Sequence, residues 1–447
     1  MKFTKQYEKW FKALLPTPFI ISILLTILVF SGSLLHSEKP LGDLLLDWQK
    51  GLWNSSLLAF AFQMMLMLVL GHALAITNSF HSFTNWIIKP IKTTAQAAYM
   101  VTFFTLIIAF LNWGLGLIFG AIITRKIGEN FTERKLPLNY ALIGACGYSG
   151  LMVWHGGISG SSLIKAAELN HIQDITHNVN LPAYISLEQT VFSYMNIATI
   201  CSLLLCLPIL AYIWGKSPID NNTTKKNDQK KDKNPSKTIG LEYLETSRTI
   251  SKIIGIGWLI VAVFHAFSAK TTFGFINPNY INFVLLGFNL LMHQNIRKFL
   301  KAINQAIAGS SGILIQFPIY FGILALMQSG GLVEYLSELF IKISTPDTLP
   351  IYTFFSAGIV NVFVPSGGGQ WALQGPIILE AANQLGTPLP KIVLALAYGD
   401  QITNMLQPFW ALPLLSITGL KARDILPYSL LFMVTGGCIF IGALLLF

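Results

Sequence analysis

The sequence predicts an all-α polytopic membrane protein built as inverted repeats, with two re-entrant hairpins and broken transmembrane helices. Composition is the first reason: 53% of the 447 residues are hydrophobic, 11% are charged and mean hydropathy is +0.58. A soluble domain carries about 25% charged residues. The second reason is residues 361–377, where one Ser, two Gln, four Gly and two Pro interrupt an apolar region. In hydrocarbon an unpaired backbone group costs several kcal/mol, so such a run survives where protein buries it or where it lines a wet cavity. It reads as a hairpin with its tip at Ser366 to Gln370, the plainer alternative being a kinked helix or a surface loop. The third reason is internal repetition, described below.

Other classes are disfavoured. The net charge is +10, but the Lys and Arg residues lie between apolar segments, as in cytoplasmic loops, so no nucleic-acid partner is expected. Cys146, Cys201, Cys206 and Cys438 sit inside apolar segments without metal-ligand spacing, so neither disulfides nor a metal site is expected. There is no phosphate-binding Gly loop, no His-Glu-x-x-His and no nucleophile elbow. The expectation is a protein that is not an enzyme and needs no cofactor.

Along the chain, Lys2, Lys5, Lys9 and Lys12 precede an apolar stretch opened by Pro16 and Pro18 and ending near Leu35. Its length and the spans after it favour an uncleaved first helix over a signal peptide. Apolar segments follow at 54–77, 99–124, 138–163 and 186–214. Residues 216–252 carry nine Lys/Arg against five Asp/Glu and read as a solvated linker. The second half offers segments at 253–268, 276–293, 306–328, 350–382, 392–418 and 425–447.

Positive charge orients these segments. Lys89 and Lys92 before segment 99–124, and Arg125, Lys126, Arg134 and Lys135 after it, place both its ends on the cytoplasmic side. The 36–53 loop is mixed, while loop 164–185 and Lys270 read as external. Arg297, Lys298 and Lys301, and later Lys421 and Arg423, read as internal. Loops 329–349 and 383–391 hold one Lys each and fit outside, so segment 350–382 dips from the external face. The result is nine spans, two opposed hairpins and a cytoplasmic N-terminus. The expected organisation is an N-terminal repeat at 1–215 with its hairpin at 99–124, the linker at 216–252, a connecting helix at 253–275, and an inverted repeat at 276–447 with its hairpin at 350–382.

Repetition supports the same division. Thr102-Phe-Phe-Thr105 matches Thr353-Phe-Phe-Ser356; Ala141-Leu142 and Ser149-Gly-Leu151 match Ala395-Leu396 and Thr403-Asn-Met405; Ser55-Ser56 and Gln63 match Ser310-Ser311 and Gln316. The three pieces run in one order at nearly one offset. Inverted repeats with broken helices meeting near the midplane are the architecture of many secondary transporters.

Four stretches are chemically unusual: 112–116, 147–162, 365–370 and 398–410. In each half a hairpin precedes a broken helix, and half-helix N-termini suit a carboxylate. None of the four holds an Arg, which favours one carboxylate over two. The expected substrate contacts are Asn112, Gly114, Ser149, Gly150, Ser366, Gly367, Gly368, Gly369, Gln370, Thr403, Asn404 and Gln407. Asp400 is the one acid inside these stretches and is a candidate proton carrier or, with Ser366 and Asn404, a sodium ligand; the alternative is a snorkelling residue near the external mouth. His155, His72, Trp371 and Trp410 are secondary candidates, the His residues equally readable as helix–helix donors. Trp113, Trp154, Trp371 and Trp410 could stack on an acyl chain or simply pack.

At these residues the chain resembles the bacterial short-chain fatty acid transporter family. The resemblance is carried by Pro365-Ser-Gly-Gly-Gly-Gln-Trp, Gln374-Gly-Pro, Asn112-Trp-Gly, Gly71-His-Ala-Leu-Ala, Tyr398-Gly-Asp-Gln and Gln407-Pro-Phe-Trp-Ala-Leu-Pro. It runs from the first helix to Phe447 and is weakest in the linker. It implies a branch of the ion transporter superfamily, with uptake of butyrate- or acetoacetate-sized monocarboxylates across the bacterial inner membrane. In the family pattern a Glu can replace Asp400 and a Gly can replace His155. The expected function is a proton- or sodium-coupled secondary carrier whose partners are a small monocarboxylate and the lipid bilayer. A homo-oligomer stays open, as do a dicarboxylate or amino-acid carrier and an anion channel. A membrane enzyme would need a His/Asp pair, and His155 with Asp400 is the one that spacing leaves open.

Overall fold

A computed structural model of the chain describes residues 18–75, 77, 82, 88–176, 178–217, 241–268, 275, 278–307 and 311–447. The expectations for Lys2 to Pro16, for most of the basic linker and for Lys270 lie outside the described residues. Every regular element among the described residues is helical. In chain order these are α1 (Pro18–His36), α2 (Leu41–Leu52), α3 (Ser55–Ala75), α4 (Thr94–Leu111), α5 (Trp113–Glu133), α6 (Tyr140–Tyr148), α7 (Ser161–Ala166), α8 (His171–Thr176), α9 (Tyr194–Gly215) and α10 (Glu242–Thr246). The second half adds α11 (Arg248–Ser268), α12 (Pro278–Met292), α13 (Ile296–Ile307), α14 (Ser311–Ser329), α15 (Leu332–Lys342), α16 (Leu349–Phe363), α17 (Gly367–Leu385), α18 (Leu389–Thr403), α19 (Pro408–Thr418) and α20 (Ala422–Leu446).

By length and composition, α1, α4, α9, α11 and α20 can each cross a membrane alone among the described residues. Shorter apolar helices at 279–292, 314–329 and 349–363 accompany them. The chain is a multi-pass membrane protein. The stretches read as loops at 36–53 and 329–349 contain α2 and α15 instead. Both are amphipathic, and charges such as Asp43, Asp47, Glu334 and Lys342 lower their hydropathy without breaking their helical period. The 99–124 segment is also longer than read, since its two helices run from Thr94 to Glu133. Thr93 caps its start by accepting from Gln96 N.

Without a hydrophobic drive between helices in lipid, contacts rest on small residues and polar cross-bonds. Gly51 of α2 lies against α14, where an added Cβ would stand 2.4 Å from Ala325 Cβ. Ser251 Oγ of α11 donates to Leu290 O of α12 at 2.6 Å. Asn282 and Asn289 on α12, and His293 just after it, bond the carbonyls of Gln63, Leu70 and Ala73 on α3 at 2.9, 2.9 and 2.8 Å. Each such bond contributes about 0.6 kcal/mol on average.

Two helix pairs fold back on themselves. Asn112 alone joins α4 to α5 in extended backbone, its Oδ1 accepting from Leu115 N, and Gly116 then lies against Ala109 so closely that a Cβ would stand 2.4 Å from Ala109 Cβ. Residues 364–366 join α16 to α17; Ser366 Oγ accepts from Gly369 N, and Gln370 Nε2 donates back to Ala357 O at 2.8 Å. Two further helices are interrupted. α6 tightens into a 3-10 turn at Ser149–Met152 before α7, and α18 into one at Asn404–Leu406 before Gln407 and α19. Glycine lets the pieces meet: at Gly157 a Cβ would stand 2.4 Å from Phe110 O, and at Gly399 one would stand 2.2 Å from Phe354 O.

Candidate functional site: the junction of the two interrupted helices

The irregular 153–160 segment meets α18 at its C-terminal end. His155 N and Gly156 N donate to Gln401 Oε1 at 2.9 and 3.3 Å. The His155 ring accepts a bond from Ser162 N at Nε2 (3.1 Å), and Ser162 Oγ lies 2.8 Å from the same nitrogen. A backbone N–H can only donate, so Nε2 is the acceptor and the ring proton sits on Nδ1. That nitrogen lies 2.5 Å from Asp400 Oδ2. His155 is 0% and Asp400 1% exposed, and among the described residues His155 is the one ion-pair partner of Asp400. With a neutral imidazole and an ionised carboxylate, the pair carries one net negative charge.

The start of α17 covers this pair. A Cβ on Gly367 would stand 2.7 Å from Trp154 Cη2, 2.8 Å from His155 Cε1 and 3.0 Å from Asp400 Oδ2. Glycine is therefore what allows the helix to begin there, and the N-terminal end of the helix lies close to the carboxylate. Asn361, on α16, ties the same hairpin to α18: its Nδ2 donates to Asp400 O (2.6 Å), Thr403 Oγ1 (2.9 Å) and Asn404 Oδ1 (3.2 Å). Gln407 Nε2 donates to Asn361 O, and Tyr148 Oη reaches Asn404 O at 2.6 Å and Gln407 O at 3.0 Å. Tyr398 Oη donates to Asn196 Oδ1 at 2.8 Å, and Asn196 Nδ2 donates to Gly156 O at 2.8 Å, which fastens α9 to the break.

Three indoles stand beside the pair. Trp113–Trp410, Trp113–Trp154 and Trp154–Trp410 have ring centroids 5.5, 6.1 and 6.3 Å apart, and Trp154 stacks on His155 at 4.4 Å and 16°. Buried polar atoms are usually paired. Here Trp154 Nε1, Gln401 Nε2 and Asn404 Nδ2 are buried donors without a hydrogen-bond partner, and Asn361 Oδ1, Gln370 Oε1 and Gln407 Oε1 are buried acceptors without one.

Of the residues expected from sequence, the junction brings together Asp400, His155, Gly367, Thr403, Asn404, Gln407 and Trp410. Ser366 caps α17 and lines a narrow cleft with Leu57, Tyr320 and Leu324. Gly369 lies beside that cap, Gly368 is exposed, and Gln370 Nε2 is engaged by Ala357 O and Gln374 Oε1. Asn112 caps α5, Ser149 Oγ donates to Cys146 O, and Gly114 and Gly150 pack on Met67 and on Ala109 with Thr105. His72 and Trp371 lie apart from the pair. His72 Nε2 is 3.0 Å from Arg125 Nη1, and Trp371 Nε1 donates to His171 Nε2 at 3.0 Å. His171 belongs to the 164–185 loop, where burial lowers its pKa; Lys165 adds to the shift, while Glu168 and Asp174 oppose it. Asn361, Asn196 and Tyr398 were not among the expected site residues, although Tyr398 opens the unusual 398–410 stretch. Asn361 opens the odd 361–377 stretch and offered a signal, whereas Asn196 sits in a plain apolar segment and offered none.

The family model described as short chain fatty acid transporter matches residues 2–447. A protein of Escherichia coli (strain K12) with the provisional name short-chain fatty acid transporter is 36% identical over 455 residues, covering 99% of this chain and 98% of that one. One of the same provisional name from Haemophilus influenzae is 36% identical over 438 residues, covering 96% and 95%. Among solved structures, MtrF of Neisseria gonorrhoeae, presented as one of a class of antimetabolite efflux pumps, matches at 15% identity and TM-score 0.42, covering 98% and 97%. The YdaH transporter of Alcanivorax borkumensis, presented as having an unusual topology, matches at 12% and 0.42, covering 95% and 98%. Similarity at that level carries no argument here.

Proposed function

We propose a carrier mechanism for this chain, which belongs to the short-chain fatty acid transporter family: coupled uptake of butyrate-like monocarboxylates across a bacterial inner membrane, with the N-terminus cytoplasmic. The observation that carries it is the buried His155–Asp400 pair, made by one half of the chain with the other and covered by Gly367 of the second hairpin. A buried charge without a countercharge is costly, and an intramembrane carboxylate is by default functional. A proton or a cation relieves that charge, so its occupancy favours the packed junction and its loss favours opening. Because the pair spans both halves, its charge state bears directly on alternating access.

The inverted-repeat reading has support in the same geometry. Asn112 caps Leu115 N and Ser366 caps Gly369 N, each at the turn of a helix pair and each in front of an interrupted helix. Proton coupling is the first reading, because one carboxylate oxygen is already engaged by an imidazole. Sodium coupling is a second, favoured by the unpartnered oxygens Asn361 Oδ1 and Gln407 Oε1 close to Asp400.

The test is uptake of labelled butyrate into proteoliposomes with pH and sodium gradients imposed separately. Accumulation driven by one gradient alone identifies the coupling ion. Downhill flux with no accumulation under either gradient makes the protein a channel, and stronger competition by succinate than by butyrate removes the monocarboxylate assignment.

A further inference from the structure

The geometry points to Trp154 and Gln401 as the subsite that holds the substrate's carboxylate, an inference that rests on the carrier reading above. Both flank His155. The Trp154 ring lies on the imidazole, and Gln401 Oε1 receives the N–H groups of His155 and Gly156. Those two backbone donors fix the amide's orientation, because only its oxygen can face them. Gln401 Nε2 therefore presents its hydrogens elsewhere, at 0% exposure and with no acceptor. An indole nitrogen is a donor only. Trp154 Nε1 is also buried without an acceptor, in a residue 4% exposed.

Each orphaned buried donor is costly to keep, so two of them on residues that touch His155, one at its ring and one at its backbone, call for an acceptor. A carboxylate has two oxygens and offers no N–H of its own, the complement of that donor pair. Cationic side chains are missing from both interrupted stretches, which leaves neutral N–H groups to do the binding. Trp113 and Trp410, edge-on to each other at 5.5 Å, stand next to Trp154 and supply apolar faces for a short acyl tail. Asp400 Oδ2 pairs with the imidazole at Nδ1, 2.5 Å away, so a coupling cation held there would lie near the bound anion. Substrate anion and coupling cation therefore favour each other's binding through simple electrostatics.

The experiment measures binding of butyrate and of its neutral isostere butyramide to the purified full chain by isothermal titration. It compares the parent with Trp154→Phe, which keeps the ring stack and removes the N–H, and with Gln401→Glu, which keeps the acceptor for His155 N and replaces the donor by oxygen. The parent is expected to prefer butyrate over butyramide by at least about tenfold, and each variant to lose about tenfold or more in butyrate affinity. Butyramide binding should stay nearly unchanged in Trp154→Phe and rise in Gln401→Glu. Equal weakening of both ligands means a structural role and overturns the subsite, as does unchanged butyrate affinity in both variants. Should neither variant fold, a parent that binds the two ligands equally overturns it by itself. A parent that binds no monocarboxylate removes the carrier reading as well, and so is distinguishable from failure of the subsite alone.

Discussion

Adding one methyl group at Gly367 tests whether the second hairpin acts by touching the His155–Asp400 pair. In Gly367→Ala the new Cβ meets Trp154 Cη2 at 2.7 Å, His155 Cε1 at 2.8 Å and Asp400 Oδ2 at 3.0 Å, where ordinary contact begins at 3.4 Å. None of the three yields easily. The indole is stacked, the imidazole accepts from Ser162 N at Nε2, and the carboxylate is ion-paired with the imidazole. Overpacking of this kind costs about 1–3 kcal/mol. If the strain falls on the packed junction alone, its population relative to an open state drops roughly 5- to 150-fold. Gly368→Ala is the control, because its nearest neighbour, Ser161 Cβ, is 3.9 Å from the added atom and the residue is exposed. The assay is initial-rate butyrate uptake together with thermal unfolding in detergent. Gly367→Ala should lose most of its uptake and a few degrees of melting temperature, and Gly368→Ala should match the parent. Equal behaviour of the two variants in both measurements would refute the idea that the hairpin works through contact with the pair.

Asp400→Asn removes the pair's charge and mimics a protonated carboxylate. It should abolish accumulation against a gradient while leaving exchange between equal pools, and Asp400→Glu should keep part of the accumulation. An Asn variant that accumulates like the parent would make Asp400 structural. In the 164–185 loop, burial depresses the pKa of His171, so the folded chain binds its proton less readily than the unfolded chain does. Stability from the Trp371 Nε1–His171 bond is thus present above the ordinary imidazole value of about 6.5 and is lost as pH falls from there through the lowered folded pKa. Melting curves across that window should show a fall in the parent that is flattened in His171→Gln; an identical slope in both rejects the role of His171. For topology, single cysteines at 125–135 should resist an impermeant external label in intact cells, as the positive charge of Arg125, Lys126, Arg134 and Lys135 leads one to expect. Strong labelling there would turn the α4–α5 hairpin into one full span and break the inverted-repeat reading.

Composition, charge placement and breaker residues determined the class of this protein, because each is a local consequence of a lipid solvent. An apolar chain with basic loops has to be helical and polytopic, and Pro, Gly and amide clusters mark where its helices stop. The turns at Asn112 and Ser366 and the interruptions near 150–160 and 404–407 all lay within stretches picked out by that logic. Hydropathy was blind to α2 and α15, whose charged stripes lower the average while leaving the helical period intact. Only the tertiary structure decided the partners. Asp400 and His155 are 245 positions apart; spacing left their pairing open, and nothing in the periodicity of either segment says that they meet at 2.5 Å. The same holds for Asn361, which reads as one more polar residue until three acceptors of α18 and its 3-10 turn converge on its amide. Asn112 and Ser366 show the reverse. They stood out as polar candidates, and folding assigns their oxygens to helix caps, because a broken backbone inside a membrane must first satisfy its own N–H groups.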